Sequence, residues 1–123
     1  MKRFIGVLSL LFVGIVSMSA QIRFSATANV YNEQTNQKIG TQYIAANIDA
    51  GGKGTMTLGS LTMKATVTNS TRNNTYKISA YSATLRSSNG QKVDVVINIY
   101  DEGYASVLVY YAEGTMRYDF TIK

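Results

Sequence analysis

The chain has 123 residues, with twelve basic and seven acidic side chains and no histidine, cysteine, proline or tryptophan. Without histidine and cysteine there is no Ser-His pair, no thiol nucleophile, no disulfide and no metal site built on imidazole or thiolate. The basic residues, among them Arg23, Lys38, Lys53, Lys64, Arg72, Lys77, Arg86 and Lys92, stand singly, so the net charge of +5 is a solubility property and not a nucleic-acid footprint.

Lys2 and Arg3 precede an uncharged apolar stretch over residues 4–16 and the small-residue segment "SMSA" at 17–20. This is the three-part layout of a secretory signal peptide. The stretch is shorter than the roughly 20 apolar residues that span a bilayer, so the expectation is a leader over 1–20 and a single β domain over 21–123, secreted or periplasmic, with no membrane span after cleavage. Cleavage after Ser19 or after Ala20 both fit, Met18 being large for a position that prefers small residues. Loss of Lys2 and Arg3 leaves a net charge of +3. The remaining chain is long enough for one core and not for two.

Period-2 alternation recurs from one end of the domain to the other, and no window shows a helical period. In the first strand Ile22, Phe24, Ala26, Ala28 and Val30 alternate with Arg23, Ser25, Thr27, Asn29 and Tyr31. After the polar connection "NEQTNQKIG" a second strand is predicted near residues 41–48, with Ile44, Ala46 and Ile48 inward. "GGKG" then turns the chain into "MTLGSLTM", residues 56–63, which is nearly its own mirror image. Gly59 and Ser60 form a two-residue loop of the Gly-first kind, suited to a type II′ turn, and the mirror writing becomes register. Met56 should face Met63, Thr57 should face Thr62, and Leu58 should face Leu61, with the methionines and leucines inward.

The inward pattern continues through Ala65 and Val67, breaks at "NSTRNN", and resumes with Tyr76, Ile78 and Ala80. Near residues 81–85 the apolar phase slips by one, to Ala83 and Leu85, which predicts a β-bulge or a strand corner. Asn89-Gly90 is a strong hairpin signal. Beyond it Val93, Val95, Ile97 and Ile99 run inward to a turn at "DEG". Residues 104–111 return with Val107 and Val109 inward, "AEG" turns again, and Met116, Tyr118, Phe120 and Ile122 close the pattern. The count is about eight antiparallel strands in a meander, forming a barrel or a two-sheet sandwich. A transmembrane barrel would need an outward apolar band, where this chain places threonine, asparagine, lysine and arginine.

The seven carboxylates are Glu33, Asp49, Asp94, Asp101, Glu102, Glu113 and Asp119. Four fall in predicted turns, and Asp94 and Asp119 lie at wet positions of late strands with no spacing that sets them across a cleft, as a glycosidase requires. "GGKGT" lacks the Lys-Ser/Thr step and following helix of a phosphate loop, and "DEG" lacks the alternating ligands of a calcium loop. No catalytic residue, metal ligand or cofactor site is expected. Tyr100, Tyr104, Tyr110, Tyr111 and Tyr118 cluster in the last three strands and are the candidate surface recognition residues. Tyrosine offers a flat ring and a hydroxyl together, and it is also a favoured strand residue.

The closing stretch "GYASVLVYYAEGTMRYDFTIK" resembles the C-terminal hairpin of a family of small exported domains of unknown function from Gram-negative gut bacteria. Gly103, Ala105, Val107, Val109, Arg117 and Tyr118 carry the resemblance, over the last third of the domain. It implies an all-β fold and an envelope or secreted location, without catalytic residues. The functional expectation is a non-catalytic binding or structural module of the cell envelope with a protein or glycan partner. The alternatives are a lipocalin-like carrier of a small apolar ligand and a subunit or assembly factor of an extracellular fibre.

Overall fold

The computed structural model describes residues 21–122, so the expected leader lies outside the described residues. Eight strands follow one another: β1 (Ile22–Asn32), β2 (Gln37–Ile48), β3 (Lys53–Leu58), β4 (Leu61–Asn73), β5 (Ile78–Arg86), β6 (Lys92–Tyr100), β7 (Tyr104–Tyr111) and β8 (Gly114–Thr121). Each pairs antiparallel with the next, and β8 returns to β1, so the architecture is a closed barrel rather than a sandwich. The turns at 33–36, 59–60, 87–91 and 112–113 form one end, here the upper. Those at 49–52, 74–77 and 101–103 form the lower.

Alternation decides which side chains fill it. Ile44, Ile48, Met56, Leu85, Val95, Ile97, Val107 and Val109 are fully buried. No water-sized void lies against them, so the middle of the barrel is filled by its own side chains, as the width of eight strands allows. The outer positions of β1, β4 and β6 carry Arg23, Ser25, Thr27, Asn29, Lys64, Thr66, Asp94 and Asn98.

The mirror phrase is register, as expected: Leu58 opposes Leu61, Thr57 opposes Thr62 and Met56 opposes Met63. Gly59 has φ +67°, whereas Ser60 is not among the residues at positive φ, which is the type II′ pattern. On the outer face the hydroxyls of Thr57 and Thr62 meet at 2.9 Å. Leu61 departs from expectation. It is 52% exposed, because β5 reaches only Lys64 on β4 and leaves Leu61 at the upper mouth.

Three further inward assignments fail, Ile78 and Ala80 by strand parity and Tyr76 by its place in a turn. A bulge sits in β4 at Thr68, between the pairs Val67–Ala83 and Asn69–Ser82, opposite the segment where the sequence predicted an irregularity. β5 itself runs with Tyr81, Ala83 and Leu85 toward the core, which puts Ile78 and Ala80 on the outer parity. Tyr76 stands in the lower turn, 70% exposed, its amide donating to Asn73 Oδ1 at 3.0 Å. A second bulge in β2 leaves Ile39 unpaired between Val30–Gly40 and Tyr31–Lys38. It lets β2 begin at Gln37, earlier than the polar composition indicated.

Closure of the ring is narrow. Only residues 29–32 of β1 pair with β8, at 116–119. Beyond Asp119 the chain of β8 stays with β7, and the amide of Ile122 donates to Gly103 O at 3.0 Å. Residues 22–28 therefore have β2 on one side and, among the described residues, no strand on the other. Phe24 and Ala26 are partly exposed along that seam, where the Phe24 ring packs on Phe120 with centroids 4.8 Å apart.

The lower end is tied by the Arg72 guanidinium, which donates to both carboxylate oxygens of Asp101 at 2.7 Å and to Ser79 Oγ at 3.0 Å. The hydrogen bond from Arg72 holds the Asp101 carboxyl below its ordinary pKa.

Candidate functional site

Strand parity and height separate the five candidate tyrosines. Tyr100 and Tyr104 flank the lower turn on the outer face and stack with centroids 4.5 Å apart and planes 16° from parallel. Tyr110 stands outward at the upper end. Tyr111, next in sequence, takes the opposite face and leans over the upper mouth, its hydroxyl 3.4 Å from that of Tyr118. Tyr118 is 3% exposed. It packs inside the barrel, because β8 alternates Met116, Tyr118 and Phe120 inward, and it drops out of the candidate surface.

Beside the Tyr100–Tyr104 pair the register assembles a polar row across four strands. Asn29 opposes Asp119, Asp119 opposes Ser106, and Ser106 opposes Asn98. All four take the outer parity. Below the row stand the stacked rings, and above it Tyr31 opposes Arg117. Between them the surface sinks into a depression of about 410 Å³ lined by Asn29, Tyr100, Tyr104, Ser106, Arg117, Asp119 and Thr121 together with Ala105 and Phe120.

Arg117 holds the upper wall in place. It donates to Glu33 Oε1 at 2.7 Å, to Asn36 Oδ1 at 2.8 Å and to Asp119 Oδ2 at 3.1 Å, and its guanidinium carbon lies 4.7 Å from the centre of the Tyr31 ring. Partial burial lowers its proton affinity, but the hydrogen bonds to Glu33 and Asp119 outweigh that and leave its pKa above the ordinary value. The Asp119 carboxylate is thereby fixed in orientation, with one oxygen engaged by Arg117. Tyr104 has its phenol pKa raised by lost hydration and by the neighbouring Glu102 carboxylate. It stays a hydroxyl donor at neutral pH.

A second depression, of about 330 Å³, opens at the upper mouth. Leu58, Met63 and Val93 floor it, Leu61, Tyr110 and Tyr111 wall it, and Gln42, Gln91 and Lys92 stand at its rim. Asp94 accepts a hydrogen bond from Thr84 Oγ1 at 3.3 Å. It belongs to the row of Tyr110, whereas Asp119 belongs to the row of Ser106, so these two carboxylates do not face each other across one cleft. Among the described residues no three Asp or Glu side chains come together as metal ligands.

Asn29, Ser106 and Asn98 were not among the sequence candidates, and Arg117 appeared only through the resemblance. Alternation alone put all four on the wet face. What it could not give is that β1 lies beside β8, which is what brings Asn29 to Asp119. Compared with known proteins, the chain matches no family model, no curated protein and no solved structure.

Proposed function

We propose that the chain is a non-catalytic glycan-binding module of the cell envelope, using the outer depression beside Tyr100 and Tyr104. The observation that carries this reading is the pairing of a flat aromatic wall with the polar side chains of Asn29, Ser106 and Asp119. Sugars present an apolar C–H face and vicinal hydroxyls, and an aromatic ring with carboxamide and carboxylate groups answers both. The depression is of the size that small-molecule sites occupy, about 300 to 1,000 Å³. Export and an envelope location belong to the same proposal, resting on the leader-like residues 1–20 and on the resemblance of the closing strands to small exported domains.

The test is binding of the chain to a panel of neutral and acidic oligosaccharides, with the Tyr104→Ala and Tyr110→Ala variants beside it. Saturable binding is expected, weakened about tenfold by Tyr104→Ala, since an aromatic contact is worth roughly 0.5 to 1.5 kcal/mol beyond its buried area. Tyr110→Ala, at the opposite end, should leave it unchanged. No binding across the panel, or binding indifferent to Tyr104, overturns the reading. Loss on Tyr110→Ala alone moves the oligosaccharide to the upper mouth and overturns the assignment to the depression beside Tyr104.

A further inference from the structure

The lower edge of β1 is a strand that the barrel leaves half used. The amide of Asn36 donates to Asn32 O at 2.7 Å and the amide of Glu33 donates to Thr115 O at 3.0 Å. The backbone of Asn32 thus faces β2, and that of Glu33 faces β8. Backbone groups alternate in direction along a strand, so the N–H and C=O groups of Arg23, Ser25 and Thr27 point to the β8 side. There, among the described residues, no strand receives them.

We infer that this edge pairs with the same edge of a second copy, antiparallel about a two-fold axis at Ser25. In that register Ser25 meets Ser25 and Arg23 meets Thr27, all through residues whose backbone groups face outward from the barrel. The three pairs supply six backbone hydrogen bonds. On the core side Phe24 meets Ala26 and Ile22 meets Ala28, a large side chain opposite a small one each time. The edge carries a single charge per copy, and this register sets the two Arg23 guanidiniums at opposite ends of the ribbon, about 14 Å apart at 3.4 Å per residue. A direct Arg23–Arg23 pair is avoided.

Two other stretches of open edge, among the described residues, are guarded. Residues 69–73 of β4, which pair with β5 alone, follow the Thr68 bulge and carry Arg72. The second is residues 37–42 of β2. It carries Lys38 and the Ile39 bulge, two of the devices that keep edges from recruiting strangers. β1 has no bulge below Val30. Because one edge pairs with itself, the assembly closes at two chains and does not propagate as a fibre. Seven residues make a ribbon about 24 Å long, a contact below the roughly 1,200 Å² of stable complexes, so the pair forms in the micromolar range.

Sedimentation of the chain beginning at Gln21, which carries all eight strands, is the first measurement. The weight-average mass should rise from one chain toward two between low micromolar and submillimolar concentration. Ser25→Lys places like charges opposite each other at the axis while its side chain points away from the core, and it should raise the dissociation constant up to about fivefold without lowering the melting temperature. Register is read by cysteine. In a chain with none of its own, Ser25→Cys should oxidise to a covalent dimer, its Cα atoms about 5.5 Å apart, inside the range a disulfide needs. Thr27→Cys, whose symmetry mate lies about 14 Å away, should not. A monomer at every concentration, a dimer indifferent to Ser25→Lys, equal cross-linking at both positions or species larger than two chains each overturn the inference.

Discussion

Tyr118 carries a phenol into the barrel interior, where its hydroxyl lies 3.4 Å from that of Tyr111. Burial raises its pKa well above the ordinary tyrosine value, and the Tyr111 hydroxyl adds to the shift. The folded state therefore favours the neutral phenol more than the unfolded chain does. That preference is fully present below the unfolded value of about 10 and is lost as pH rises from there through the folded value. The melting temperature should hold up to about pH 9 and fall above about pH 10. In Tyr118→Phe the alkaline fall should be shallower, at a cost near neutrality of about 0.5 to 1 kcal/mol for a long hydrogen bond between neutral groups. Thermal melts of both chains across the alkaline range check it, and parallel curves refute it.

At the scale of the element, the β3–β4 hairpin is the place where local sequence dictates structure most completely. Gly59 sits at φ +67°, and a Cβ there would meet Gln42 Nε2 at 2.5 Å. Gly59→Val should cost about 1 to 3 kcal/mol for a β-branched residue at positive φ, read as a lower denaturation midpoint with an unchanged slope. A variant that melts with the parent would mean the turn can rebuild itself in another type. Such local rules made most of the fold legible: all eight strands, their order and the facing of Met56 on Met63 follow from alternation and turn residues. Where they failed, the cause was not local. The apolar run Tyr76, Ile78 and Ala80 imitates an inward face, but the bulge at Thr68 and the Ile97 row on β6 set β5 to the opposite parity. Leu61 has the right parity and lies too near the rim to be covered. The site was legible only in part, since Tyr100 and Tyr104 could be picked out as tyrosines, but Asn29 reaches the polar row beside them from β1, some 75 residues earlier in the chain, through the β1–β8 pairing.

For the whole molecule, the weak point is the single long-range pairing that turns a sheet into a ring. Four residue pairs join β1 to β8, and Arg117 reinforces them by reaching the tip of the β1–β2 hairpin at Glu33 and Asn36. Single exposed ion pairs are worth about 0 to 1 kcal/mol, but this guanidinium joins two carboxylates, an amide and a ring. Arg117→Ala should therefore lower stability by about 1 to 2 kcal/mol, a fall of about 4 to 8 °C in melting temperature per kcal/mol. Amide exchange at Tyr31 and Asn32 should quicken while exchange in the β3–β4 hairpin stays as it was. Equal acceleration throughout would show that the ring opens only when everything does. The narrow closure also sets a clock. Seven of the eight pairings link strands joined by turns of two to five residues, while the eighth joins Asn29 to Asp119, ninety positions away. A ribosome adding about 5 to 20 residues per second takes about 5 to 18 s to travel that distance, and through all of it the β8-facing edge of β1 has no mate from its own barrel. The hairpins in between can form as they emerge. β1 has to wait for β8, and that interval is when residues 29–32 are open to the wrong neighbour.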